Sequence, residues 1–355
     1  MGSISRIRRD DLNDRDMSEG NGHVPALSVP FVACADIARR WPVAHTRPQA
    51  GIALTPTKQP STVRCKLVLS NFGGAAMSDP IHAKRSDHAY VLGHSEHEVE
   101  RLKAQARLID PITERFFRAA GLGPGMRVLD VGSGAGDVAF LASAIVGAEG
   151  SVVGADRVPA AVQVARIRAT EGSIRNVSFV EGDPVELTFN QPFDAVIGRY
   201  VLQFQREPAR MLRRLATKVR PGGVVVFHEI DWGGLSSFPP VPTYDLCSRW
   251  GADAMHLHGT ETRMGSKLHT TFVAAGLPAP TLRLEALVVA GVHSIPWLRL
   301  FKDLIATLMP EIERFDVATS GEIDVDTLVE QISNEAHASS SVLFGHYQIA
   351  AYVRV

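Results

Sequence analysis

The sequence predicts an α/β fold with a mostly parallel sheet and helices on both faces, and three observations carry that prediction. Apolar runs of strand length alternate with helical segments between residues 127 and 229, the order that builds βαβ units. One of those runs, Val128-Leu-Asp-Val131, passes into three alternating glycines, Gly132, Gly134 and Gly136, and then into a helix. Two late strand-like segments, 281–289 and 348–355, are available to complete the sheet.

The elements follow in order. Ser95-Glu-His-Glu98 forms a capping box, after which Val99, Leu102, Ala106 and Ile109 recur at helical spacing. Pro111 restarts a helix that runs through Ala120, and Gly121-Leu-Gly-Pro-Gly125 makes a turn. Arg127–Val131 reads as a buried strand, 137–146 as helix, 151–155 as strand, 159–170 as helix and 177–181 as strand. Strand 195–198, helix 208–219 and strand 224–229 close the alternation. In the tail, 264–275 and 295–334 read as helical.

Composition bounds the function. Of 355 residues 45% are hydrophobic and 21% charged, which excludes a chain disordered throughout. With 37 Lys+Arg against 38 Asp+Glu the net charge is -1, so no global positive field is available for a nucleic-acid backbone. Charges, Gly and Pro interrupt every candidate for the roughly 18 to 20 apolar residues that span a bilayer, and no membrane span is expected. Cys34, Cys65 and Cys247 are too few and scattered for a disulfide framework, which fits a reducing, cytoplasmic compartment.

Residues 1–76 differ in texture, with a mixed-charge opening followed by Pro- and Thr-rich sequence that is expected not to pack. Between 20 and 76, six basic residues stand against the single acidic Asp36, a bias shared with transit peptides but without an amphipathic helix. An upstream extension ahead of Met77 is the preferred explanation; a transit or regulatory segment and a structured domain remain open.

Charges around the glycine loop select its ligand. In a dinucleotide fingerprint the third glycine would fall at position 137, where Asp137 stands and would repel a diphosphate, although it also suits a simple N-cap. Asp130 ends the strand before the loop. Two carboxylates favour a positively charged ligand, and S-adenosylmethionine carries a sulfonium and an ammonium but no phosphate. Asp156 closes the second strand twenty-four positions after Gly132, about where an acidic residue accepts ribose hydroxyls, and Asp183 follows the third strand.

These motifs, with Phe193-Asp-Ala-Val-Ile-Gly-Arg-Tyr-Val-Leu-Gln-Phe204 and Val219-Arg-Pro-Gly-Gly-Val-Val-Val-Phe227, resemble the class I S-adenosylmethionine-dependent methyltransferases over roughly 126–231, and more weakly to Val355. The core is similar to that of ubiquinone and menaquinone methyltransferases, whose further signatures are not found outside it. The resemblance implies a Rossmann-like seven-stranded, mostly parallel sheet, with a helical N-terminal lid over 77–125. The methyltransferase domain would span 126–355 and carry an acceptor-side helical insertion at about 232–338.

Carried over, it implies that Gly132, Gly134 and Gly136 line the methionine portion and that Asp130 orients its amine. Asp156 would hold the ribose, Asp183 the adenine, and Arg157 would flank either. Arg199 would lie near the methionine end or pair with a surface carboxylate. Tyr90 would belong to the lid or to the core.

Methyl transfer needs collinear reactants in a dry pocket more than it needs a catalytic residue. If a base assists, His228, Glu229 and Asp231 are the candidates after the Val-Val-Val-Phe strand. His256 and His258 lack an acidic cluster, so no metal is expected. The acceptor is expected to be a small apolar or aromatic metabolite methylated on O, N or C. Trp232, Phe238, Trp250, Met255, Trp297 and Phe301 are candidates to line its pocket, or to pack the core. The alternatives are a catalytically inactive S-adenosylmethionine-binding regulator and a nicotinamide-dependent oxidoreductase.

Overall fold

The computed structural model describes residues 96–355 apart from Ser320 and Ile323, with side chains from Ala104 onward. The segment 1–76, Tyr90, the Ser95 cap and the side chains of Val99 and Leu102 lie outside the described residues.

Strands β1 (Arg127–Val131), β2 (Ser151–Asp156), β3 (Val177–Glu181), β4 (Phe193–Arg199) and β5 (Val219–Asp231) run parallel in the order β3-β2-β1-β4-β5. β8 (Val342–Arg354) lies antiparallel beside β5, and β7 (Thr281–Ala290) lies antiparallel beyond β8. An eighth strand corrects the expected seven: β6 (Ser236–Phe238) prolongs the β5 side and pairs with the start of β8. Its three residues carry too little periodic signal to be read from sequence.

Alternating side chains feed two layers. Val224 and Val226 of β5 join a core with α1 (Glu96–Ala120), α2 (Asp137–Val146) and α3 (Pro159–Glu171). Val225 and Phe227 face the opposite side, where α4 (Pro208–Ala216) and α6 (Met264–Ala274) cover the sheet. Burial on both faces is why the strands are continuous apolar runs rather than alternating ones. Among the described residues, no helix is long and apolar enough to cross a membrane.

Several boundaries moved. α1 continues through Pro111 instead of restarting there, because Ile109, Ile112, Phe116 and Phe117 bury one uninterrupted stripe. α4 ends at Ala216, since Val219 is already paired with Phe193 in the sheet. The helical stretch expected over about 295–334 consists of two helices, α7 (Ile295–Arg314) and α8 (Leu328–Ala338), with Asp316 at φ 60 just after α7.

The region 232–338 is likewise not a single helical insertion. α6 and β7 belong to the sheet layers, whereas α5 (Pro242–His258), α7 and α8 form a separate core with the end of β5 and the start of β8. That separate core includes Trp232, Tyr244, Trp297 and Phe301.

Candidate functional site

The chain leaves β1 for β2 on one side and returns to β4 on the other, so a crevice opens at the carboxyl ends of β1 and β4. A cavity of about 340 Å³ occupies it, running from the glycine loop to the helical cap.

The loop needs its glycines. Gly132, Gly134 and Gly136 have φ of 66, 51 and 95, a region that L side chains rarely adopt. A Cβ on Gly136 would lie 2.9 Å from both Phe140 and Phe179, whereas one on Gly134 would meet nothing within 4 Å. Gly134 therefore faces the open cradle and Gly136 the core. Gly136→Ala is expected to cost about 1 to 3 kcal/mol in chemical denaturation, from strain plus clash. Gly134→Ala should cost less stability and more ligand affinity, and the reverse ranking would refute this division.

Asp156, at the end of β2, pins the loop: its carboxylate accepts from the Gly134 N–H at 2.8 Å and from the Val158 N–H at 2.9 Å. Each oxygen keeps further lone pairs. Asp130 sits beneath the loop, 1% exposed, and does not line the cavity; one of its oxygens has no partner. Burial pushes its carboxyl well above the usual carboxylate range, against the pull of Arg199. Ser133 Oγ, in the loop itself, is also buried without a partner.

The other charged residues are already paired. Arg168 holds Asp137 at 2.7 Å, so Asp137 supports the α2 N-terminus without being a free charge, and the N-cap is Gly136. Arg157 pairs with Asp183 at 2.6 Å; Arg157 lines the cavity and Asp183 stands outside its wall. Arg199 lines the cavity and also pairs with a partly exposed carboxylate, Asp110 of α1, at 2.7 Å, while donating to Thr113, so both expected roles meet in one residue.

The three residues expected as bases do not face the site. None of His228, Glu229 and Asp231 lines the cavity, and all are at most 2% exposed. Burial and Arg199 hold His228 down at about 3, so its ring is neutral. Its Nε2 lies 2.8 Å from Gln348 Oε1 and its Nδ1 lies 3.2 Å from the Thr113 hydroxyl. Glu229 accepts from the backbone N–H groups of Val201, Leu202 and Gln203 and shapes the turn after β4. Asp231 accepts from the Gly233 N–H and from Ser266, which fixes the 3-10 turn that presents Trp232. Strand alternation and backbone capping consume all three, and sequence order does not reveal that.

The far end of the cavity is apolar. Trp232, Met255, Trp297 and Phe301 line it as the sequence suggested, with Leu300 and Leu304; Trp250 packs in the core beside it and Phe238 is 72% exposed. Sequence reasoning missed Tyr200, Gln203, His346 and Gln348, which line the wall between the two ends. Tyr200 and Gln203 fall inside the motif that marks β4, but nothing in the sequence separates His346 from a core histidine. Among the described residues no group of three or more His, Cys, Asp or Glu is placed to hold a metal, and His258 lies 3.3 Å from Glu311.

Comparison with known proteins places this geometry. The family description "Methyltransferase domain" matches residues 122–276. The ubiquinone/menaquinone biosynthesis C-methyltransferase UbiE of Coxiella burnetii is 36% identical over 126 residues, 35% of this chain and 50% of that protein. Aklanonic acid methyltransferase DauC of a Streptomyces species is 32% identical over 152 residues, 42% of this chain and 67% of that protein. The 2-phytyl-1,4-naphtoquinone methyltransferase of Synechococcus elongatus is 39% identical over 101 residues, 28% of this chain and 43% of that protein. The chain thus spans about half the length of the first of these relatives. With the glycine cradle, the acidic end of β2 and the antiparallel β8 in the same sheet, the chain belongs to the class I methyltransferases, whose cofactor is S-adenosylmethionine.

Proposed function

We propose that the protein transfers the methyl group of S-adenosylmethionine to O, N or C of a small, uncharged, apolar or aromatic metabolite. The observation that carries this reading is the polarity of one continuous cavity. Its charged lining residues, Asp137, Asp156, Arg157 and Arg199, all stand near the glycine loop, and Trp232, Met255, Trp297, Leu300, Phe301 and Leu304 make the other end. A cavity that continues past the cofactor end supports an enzyme over a protein that only binds the cofactor. Relatives named for quinones support an apolar cyclic acceptor.

The residues present fit the cofactor. The open space over Gly134 admits a close-lying chain, and Ser133, whose Oγ has no partner, lines the cavity beside it. Asp156 would accept from the ribose hydroxyls while it keeps its two backbone donors. Arg157 with Asp183 would close the adenine side, and Arg199, anchored by Asp110, would hold α1 over the methionine end. When bound, the cofactor supplies a methyl group on a sulfonium, ready for in-line attack. The chain's contribution is to orient the acceptor against the aromatic wall and to exclude water.

Isothermal titration with S-adenosylmethionine, S-adenosylhomocysteine and NADH tests the reading. Micromolar binding of both adenosyl ligands and none of NADH is expected; the opposite pattern would discard it.

A further inference from the structure

His346 and Trp232 are unlike their buried counterparts. Both rings of comparable residues nearby are fully engaged: His228 uses both nitrogens, and Trp297 donates from Nε1 to Tyr244 Oη at 3.0 Å. His346 Nε2 and Trp232 Nε1 are buried without any hydrogen-bond partner, in residues 7% and 5% exposed. Leaving a buried donor or acceptor unmade costs about 1 to 3 kcal/mol, so two orphaned groups in one place call for a partner. The two rings touch edge to face, with centroids 4.6 Å apart, and both residues line the apolar end of the cavity.

We infer that His346 and Trp232 form the polar anchor of the acceptor site and select a flat aromatic acceptor that carries a hydroxyl group. The inference rests on the methyl-transfer reading above and deepens it. The indole N–H is only a donor, whereas a neutral imidazole has one donor and one acceptor nitrogen. A hydroxyl oxygen accepts from Trp232 and, in either tautomer of His346, meets Nε2 with its own hydrogen or its second lone pair. A carbonyl serves only one of those tautomers.

Charged alternatives have nothing to meet them. No Lys, Arg, Asp or Glu lines the cavity end formed by Trp232, Met255, Trp297, Phe301 and His346, so neither a carboxylate or phosphate nor an ammonium is matched there. His346 does not supply a charge, because burial holds it down at about 3 and the ring is neutral near pH 7. Its second aromatic neighbour, Trp297, stands edge-on at 6.0 Å, and Phe301 completes an aromatic lining that suits the faces and edges of an aromatic ring.

The test uses the full chain saturated with S-adenosylhomocysteine, titrated with 2-naphthol and with naphthalene, which has the same rings without the hydroxyl. The protein is expected to prefer 2-naphthol by about tenfold, the worth of one to two neutral hydrogen bonds. His346→Phe and Trp232→Phe keep an aromatic ring and remove the polar atom. Each should lower that preference to about threefold or less, with S-adenosylhomocysteine affinity unchanged and any loss of ring contact falling equally on both compounds. A hydroxyl preference that survives intact in both variants overturns the inference. So does equal binding of the two compounds to the unaltered protein, or binding of neither, while S-adenosylhomocysteine still binds. Failure of S-adenosylhomocysteine itself to bind would instead sink the methyl-transfer reading beneath it.

Discussion

Glu229→Ala is expected to destabilise the protein by about 3 to 5 kcal/mol, the largest single effect among the residues around the site. The side chain is fully buried and accepts from three consecutive backbone N–H groups, at 2.9 Å from Val201, 2.7 Å from Leu202 and 3.4 Å from Gln203. Alanine would orphan all three donors at the turn that carries Tyr200 and Gln203 into the cavity wall. Denaturant titration measures the loss. A change below about 1 kcal/mol would mean that water replaces the carboxyl without penalty.

Glu229 also sets a pH dependence. Burial raises its carboxyl from 4.5 to about 8, against the backbone donors that favour the charged form. Between those values the folded state holds a proton that the unfolded state has lost, so this group's stabilisation is complete below pH 4.5 and declines as pH rises towards 8. The neutral His228 and His346 act oppositely: their folded values of about 3 lie below 6.5, so their contribution is lost as pH falls below 6.5. The two effects separate above pH 6.5. Glu229→Gln should flatten the decline in thermal midpoint between pH 6.5 and 8 while keeping most of the backbone bonds. An unchanged slope would place the titration elsewhere.

Asp156→Ala is expected to weaken S-adenosylmethionine binding by roughly 1 to 3 kcal/mol, about five- to 150-fold, because a charged hydrogen-bond acceptor is lost. The same carboxylate ties Gly134 to Val158, so the empty protein should also lose stability. Asp156→Asn separates the two effects. An amide oxygen can keep one backbone donor, but the amide nitrogen cannot accept from the other donor or from a ribose hydroxyl. Titration calorimetry with both variants reads the affinity, and unchanged binding would remove Asp156 from the cofactor site.

Much of the fold is written locally. The run from Arg127 to Val131, the glycines after it and the apolar stretches at 151–156, 177–181 and 224–229 each combine strand propensity, helical periodicity and turn chemistry within a short window. Those windows suffice for the order of elements, the glycine cradle and the acidic end of β2. β6, the break after α7 and the extension of β8 back to Val342 were not legible, because each depends on what pairs or packs from far along the chain.

Side-chain roles depended on tertiary contacts to a greater degree. By sequence alone, His228, Glu229 and Asp231 were equivalent polar residues at the end of a strand, and His346 was one histidine in another. β8 lies antiparallel against β5, which brings Gln348 to His228 and encloses that histidine in a satisfied network. The turn after β4 turns its N–H groups onto Glu229. The same β8 carries His346 into contact with Trp232 and Trp297 from two other segments, with Nε2 unpartnered. The sequence by itself determined the glycine loop after β1, because the loop and the acid that pins it lie within twenty-five residues and their backbone requirements are local. Only the tertiary structure decided which polar groups are consumed by the fold and which are left without a partner, since hydrogen-bond satisfaction is a property of distant segments brought together.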